Sequence, residues 1–297
     1  MSEPSSSTAS DPEAPSDLAR DTAVTRVGKT PHQYVARLSD QWNYLLPSGG
    51  VLLSIGLRAI EAELARSDLR VLSATAMFCS PVRDGLLDVR ATVLRSGENA
   101  AQTRATVTSR ADGGPGVEIM ATFVRARTGP DTTGVEMPNV SPPLECPVVG
   151  SRRADLDKQP FRSRPTFFRQ VDVTQAIGSP FDGEWSAGPA HVGFWHRYRV
   201  PQRLADGTFD PLALPPIADT LPGSLVRKVG PDHPRFIAPS LDLTVFFLAP
   251  TTSEWILVES FCERSREGWA NCSGNLWDER GQLVARVAQT MTLKWMP

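Results

Sequence analysis

The strongest constraint on the fold is a plan of elements that occurs twice. Gly49-Gly50 lead into VLLSIGLRAIEAELARS (51–67), with apolar residues at 51, 52, 55, 59 and 62 and again at 53, 57, 60 and 64. That spacing predicts a helix apolar on more than one face. Such a helix must be wrapped, most simply by a curved sheet. Strands are expected next at VLSATAMFCS (71–80), LLDVRATVLR (86–95), AQTRATVTSR (101–110) and VEIMATFVRA (117–126). In the second and third, apolar and polar residues alternate as in half-buried antiparallel strands. The loop from Ala111 to Gly116 supplies Asp, Gly and Pro for a turn.

The second half repeats the order. Strands at 166–175 and 190–200 precede DPLALPPIADTLPGSLVRKVG (210–230), read as a helix bent at Pro222 and ended by Gly230. Strands follow at 240–249, 255–264, 269–278 and 283–295. Phe78-Cys79-Ser80-Pro81 matches Phe247-Leu248-Ala249-Pro250, 169 residues later. A period of that length is a domain duplication and not a solenoid. The expected fold is therefore α+β, two tandem hotdog units, each a central helix wrapped by an antiparallel sheet. The units are expected at 29–126 and 166–297. A Pro-rich linker joins them at 127–165, and residues 1–28, rich in Ser, Pro and acids, read as a disordered tail.

Charge narrows the functional classes. The chain has 297 residues, with 31 Lys plus Arg against 33 Asp plus Glu, a formal charge of −2. A nucleic-acid partner would call for a basic face. The apolar runs are too short to cross a bilayer, so no membrane partner is expected. The N-terminus has no secretory pattern, and a cytoplasmic location is expected. Cys79, Cys146, Cys262 and Cys272 form no C-x-x-C pair and stand at no zinc-finger spacing from a His. Neither a metal nor another cofactor is expected.

Several stretches together resemble one family. They are Trp42 through Gly49-Gly50-Val51-Leu52-Leu53, Ile217-Ala218-Asp219-Thr220-Leu221-Pro222, Pro239-Ser240-Leu241-Asp242-Leu243-Thr244-Val245, and Asp278-Glu279-Arg280-Gly281-Gln282-Leu283-Val284-Ala285, ending in Val287-Ala288-Gln289. In this order and at these separations the chain resembles the double-hotdog, type II acyl-CoA thioesterases. The resemblance implies hydrolysis of an acyl-CoA to a free acid and CoA, by a water that an Asp, a Ser or Thr, and a Gln hold. Carried over, these fall on Asp219, Ser240 and Gln289. Where the type members have a His after the strand Asp, this chain has Leu243. The substrate implied is an acyl-CoA or an acyl carrier protein thioester, and the assembly a homodimer or larger homo-oligomer.

The same residues have plainer readings. Gln289 shares a strand face with Leu283, Ala285, Val287 and Met291 by period two, and an amide there must find partners or cost ~1–3 kcal/mol. Asp219 lies in an apolar helix, either on a solvated face or partly buried with a raised pKa. Ser240 after Pro239 also suits turn chemistry, and Asp242 reads as a structural acceptor. The first half has no acid between Gly49 and Arg58 and no amide near Met120-Ala121-Thr122-Phe123. One competent site per chain is therefore expected. The first half would supply the acyl wall, and the N–H groups of Gly49 and Gly50 at a helix start would bind the thioester oxygen or a phosphate.

Other chemistries fit less well. No G-x-S-x-G is present, so a nucleophilic serine is disfavoured. None of the four His lies in the helix that carries Asp219, which argues against hydratase chemistry; His196 reads as a strand-surface residue. A non-hydrolytic acyl-CoA-binding or scaffolding protein is the alternative.

Overall fold

A computed structural model describes residues 15–28, 30–149, 165–179 and 185–296. Its helices are α1 (Leu18–Asp21), α2 (Gly49–Leu64), α3 (Leu214–Ala218) and α4 (Pro222–Val229). The first half holds strands β1 (Val24–Arg26), β2 (Gln33–Leu38), β3 (Arg70–Phe78), β4 (Gly85–Ser96), β5 (Ala100–Ser109) and β6 (Val117–Val124). The second holds β7 (Val171–Ile177), β8 (His191–Tyr198), β9 (Phe236–Ile237), β10 (Asp242–Phe247), β11 (Ile256–Arg266), β12 (Trp269–Asp278), β13 (Leu283–Thr292) and β14 (Lys294–Trp295). Twelve of these strands form one sheet, in the order β1-β2-β4-β5-β6-β3-β10-β13-β12-β11-β8-β7. Strands β9 and β14 pair in a small separate ribbon.

The two hotdog units meet where β3 runs antiparallel to β10. Thr75 stands opposite Thr244, and their hydroxyls are 2.9 Å apart. These threonines are 169 residues apart, which is the repeat period read from the sequence. A residue that faces its own repeat partner marks a pseudo-two-fold axis through the sheet. The β3–β6 and β10–β13 ladders match in detail: Val71 opposes Phe123 and Thr75 opposes Met120, as Ser240 opposes Met291 and Thr244 opposes Ala288.

Helix α2 is buried along most of its circumference, with Val51, Leu53, Ile55 and Leu57 fully covered. It packs against the first half's sheet on one side and α3 on the other. Ser54 Oγ donates to Leu212 O, just before α3, at 2.7 Å. One continuous apolar cluster runs through both halves.

The expected helix over 210–230 is instead three pieces: a 3-10 turn at Pro211–Ala213, then α3, then α4. Pro222 is the physical reason. It has no N–H to give, and its ring crowds the carbonyl four residues earlier. Helix α3 therefore stops at Ala218 and leaves Asp219 as its C-cap.

The start of the expected strand at 166–175 is a 3-10 turn, Thr166–Arg169, before β7. Thr166 Oγ1 donates to Asp40 O at 2.6 Å, and Phe167 N donates to Asn43 O at 3.1 Å. This segment is therefore tied to the first half and not to a sheet.

Of the tail expected over 1–28, residues 1–14 lie outside the described residues. Residues 15–28 are a correction to that expectation, because they are built into the fold. Leu18 is fully buried, and Trp42 Nε1 donates to Asp21 Oδ2 at 2.9 Å. Ser16 N donates to Gln170 Oε1 at 2.7 Å, and Ala19 N to Gln202 Oε1 at 3.0 Å. The N-terminal segment thus fastens the first half to the second. Of the expected linker, the described stretch at 141–143 lies against strands β7 and β8. There Trp195 Nε1 donates to Ser141 O, and Thr174 Oγ1 to Pro143 O.

Candidate active site

Asp219, Ser240 and Gln289 come from three elements and converge. The break before Pro222 leaves Asp219 as the C-cap of α3, where its backbone departs from the helical conformation while its N–H still donates to Pro215 O. Ser240 lies just before β10, bridged to Met291 on β13. Gln289 sits on the inner face of β13 between Val287 and Met291. Gln289 Nε2 donates to Asp219 Oδ1 and to Ser240 Oγ, both at 2.6 Å. Ser240 Oγ stands 3.5 Å from Asp219 Oδ1. Asp242 is close by in sequence, but its Oδ1 accepts from Thr290 N at 2.9 Å. It holds the ladder together.

The other carboxylate oxygen faces the first half. Asp219 Oδ2 accepts from Ser48 Oγ at 3.0 Å and from Gly50 N at 3.2 Å. Ser48 precedes α2 in the place of a capping residue, yet its side chain makes no cap to its own helix. Gly49 and Gly50 form the start of α2, as expected. However, the Gly50 N–H is occupied by a carboxylate of the same chain. That corrects the expectation that this N–H is free for a substrate oxygen. A helix N-terminus favours a negative charge, and Asp219 provides it.

Asp219 is 8% exposed. Its pKa is raised, because burial penalises the charged form more than the hydrogen bonds from Gly50, Ser48, Gln289 and Gly49 favour it. Tyr44 lies in the same field. Burial first, and then the Asp219 charge, hold its phenol well above the ordinary value. Two buried atoms here lack a hydrogen-bond partner: the Tyr44 hydroxyl and Gln289 Oε1.

His196 is buried, not on the strand surface as expected. Burial lowers its pKa to about 4, so the ring is neutral near pH 7. Its Nδ1 lies 3.0 Å from Phe194 O.

The repeat explains why the polar set occurs once. Asp219 and Gly50 are 169 residues apart and touch, which places them beside the pseudo-two-fold axis. The matched ladders put Val71 where the second half has Ser240, and Ala121 where it has Gln289. Gly50, Val71 and Ala121 offer no side-chain donor, acceptor or base.

The sequence assigns no site role to Ser48, and Tyr44 reads there only as a side chain that sets pocket depth. Ser48 carried a signal, a serine directly before a helix start, but that signal points to a cap and not to a carboxylate 171 residues away.

The chain is similar to known proteins. Residues 38–125 match the family model for the acyl-CoA thioesterase N-terminal domain, and residues 143–293 match the model for its C-terminal domain. No curated protein sequence matches the chain. Among solved structures, a conserved protein of unknown function with a hot dog fold from Alicyclobacillus acidocaldarius is 22% identical. It has a TM-score of 0.76, covering 94% of this chain and 98% of its own. An acyl-CoA thioesterase II from Mycobacterium marinum is 20% identical with a TM-score of 0.70, over 94% of this chain and 97% of its own. At these identities the likeness is one of fold.

Proposed function

The chain belongs to the acyl-CoA thioesterase family, and we propose that it hydrolyses its thioester with a water that Asp219 deprotonates. The observation that carries this reading is a buried carboxylate of raised proton affinity, within hydrogen-bonding reach of Gln289 and Ser240. Water is a weak nucleophile near neutral pH and needs a base, which typically contributes ~10²–10⁴-fold. The bond from Ser240 Oγ to Asp219 Oδ1 is long, at 3.5 Å, and the water takes its place as a donor to Oδ1. The unpartnered Gln289 Oε1 can accept the second hydrogen of the same water. As the water oxygen bonds to the carbonyl carbon, its proton passes to Asp219. The C–S bond then breaks, and the proton goes to the departing thiolate.

The test is release of free thiol from a panel of acyl-CoAs and acyl carrier protein thioesters. Hydrolysis of at least one is expected. Binding of acyl-CoA without thiol release would establish the non-hydrolytic alternative.

The expected assembly is a homodimer or larger. In support, Met77, Met120 and Phe246 stand exposed on the outer face of β3, β6 and β10, around Thr75 and Thr244. Contiguous exposed apolar residues mark contact surfaces. Light scattering at micromolar concentration should give at least twice the chain mass; 32.3 kDa would overturn the assignment.

A further inference from the structure

Thioester hydrolysis needs more than a base. The carbonyl oxygen gathers negative charge as water adds, and a donor aimed at it typically contributes ~10²–10³-fold. The polar groups around Asp219 are already directed elsewhere. The Gly50 N–H, the Ser48 hydroxyl and the Gln289 amide N–H all point at the carboxylate. They hold the base and cannot also serve the oxygen.

Among the described residues, the buried side-chain donor atoms without a partner belong to Tyr44 and Arg227. Arg227 is on α4, and its guanidinium reaches away to Ser179 Oγ at 3.1 Å. Tyr44 is in the segment that delivers Ser48 to Asp219. Its loop is closed by the Asn43–Pro47 bridge and by Tyr44 N donating to Leu46 O at 2.8 Å. The ring stacks on Phe167 with centroids 5.0 Å apart and meets the edge of Phe168 at 5.6 Å. These contacts fix the phenol from two sides.

A buried hydroxyl with no partner has lost its hydration without compensation. Such a group points to something that arrives only when the site is occupied. We propose that the Tyr44 hydroxyl donates a hydrogen bond to the thioester carbonyl oxygen and to the oxyanion that follows. The phenol keeps its proton throughout, and burial beside Asp219 holds it in the protonated form. The inference rests on the hydrolytic reading of the Asp219 site.

The experiment uses the full chain and the Tyr44→Phe variant, which keeps the ring and its stacking. The variant should lose ~10²-fold or more in kcat on the oxyanion-donor scale, with KM raised several-fold at most. Two CoA analogues separate donation from packing. A ketone analogue, with CH2 for the thioester sulfur, keeps the carbonyl oxygen. A thioether analogue, with CH2 for the carbonyl, lacks it. Tyr44→Phe should weaken the ketone several-fold, as expected for one neutral hydrogen bond, and leave the thioether unchanged. The carbonyl stretch of the bound ketone should rise in frequency in the variant.

Wild-type kcat in Tyr44→Phe would overturn the proposal, as would equal loss of both analogues. Asp219→Asn, run in parallel, distinguishes the two levels of failure. If it is inactive while Tyr44→Phe is normal, only the Tyr44 assignment falls. If Asp219→Asn turns over at the wild-type rate, the hydrolytic reading of the site falls first.

Discussion

Asp219→Asn should hydrolyse acyl-CoA with kcat lower by two or more orders of magnitude, the scale of a positioned general base, and still bind a non-hydrolysable analogue. The substitution keeps the shape of the side chain. Oδ1 of the asparagine can still accept from Ser48 and Gly50. Its NH2 would face Gln289 Nε2, two donors together, but a turn of the Gln289 amide presents the unpartnered Oε1 instead. The fold thus accommodates the variant, and a loss of rate reports the lost base. Ser240→Ala and Gln289→Ala should each lower kcat less. Their effects should not add to that of Asp219→Asn, since all three serve one water.

The pH dependence has a definite sign. The base works ionised, and its pKa is raised. The wild-type rate should therefore fall with decreasing pH through a midpoint above the ordinary carboxylate range. Stability runs the opposite way. A carboxyl whose folded pKa exceeds its unfolded value binds its proton more tightly in the folded state. The gain is complete below the unfolded pKa and is lost as pH rises through the folded one. Ionised Asp219 is a liability at neutral pH, so Asp219→Asn should melt higher there and lose that part of the pH dependence. A wild-type rate in this variant, or an unchanged acid limb of the rate profile, would place the base elsewhere.

The parts of this molecule legible in the sequence are those fixed by local periodicity. The apolar residues of α2 spread round the helix because the sheet and α3 cover it from both sides. The strands β4, β5 and β6 alternate because each has an inner and an outer face. The break between α3 and α4 was harder to see. Ile217, Leu221 and Leu225 continue a helical period across it, and only the backbone chemistry of Pro222 decides that the ladder stops. The short strand β2 lies next to a segment whose Ser, Pro and acid content suggests disorder. That segment is ordered by partners such as Gln170 and Gln202, which hold Ser16 and Ala19 from more than 150 residues away.

The site shows the same division. Asp219, Ser240 and Gln289 belong to sequence stretches that can be recognised as motifs. Ser48 and Tyr44 lie in such a stretch too, but in the other half, and Ser48 meets the carboxylate only through the packing of α2 on α3. One signal for that contact was available. Residues one repeat apart touch when they lie on the axis that relates the repeats. Gly50 and Asp219 are such a pair, as are Thr75 and Thr244.

That contact makes Gly50→Ala the most informative structural variant. Intrinsic propensity favours alanine over glycine within a helix by roughly 0.5–1 kcal/mol. Packing opposes it. A Cβ on Gly50 would stand 2.1 Å from Pro215 O, 2.4 Å from its carbonyl carbon and 2.6 Å from Pro216 Cα. These are backbone atoms of a proline pair and cannot swing aside, so α2 and α3 must separate. Overpacking of this kind costs typically ~1–3 kcal/mol, and contact with backbone should bring the loss to about 3 kcal/mol or more.

The site should fail along with the fold. Pro215 O accepts the Asp219 N–H at 3.1 Å, so moving Pro215 moves the carboxylate away from Ser48 and Gly50. Gly49→Ala is the control. Its Cβ would meet the far edge of the Phe78 ring, 2.4 Å from Cζ, and that side chain can turn away. Denaturant midpoints should therefore rank wild type above Gly49→Ala, and Gly49→Ala well above Gly50→Ala. Thiol release by folded Gly50→Ala should be far below that of Gly49→Ala. A Gly50→Ala protein as stable as wild type would mean that α2 and α3 do not cross at this residue, and that the Gly50 N–H does not hold the Asp219 carboxylate.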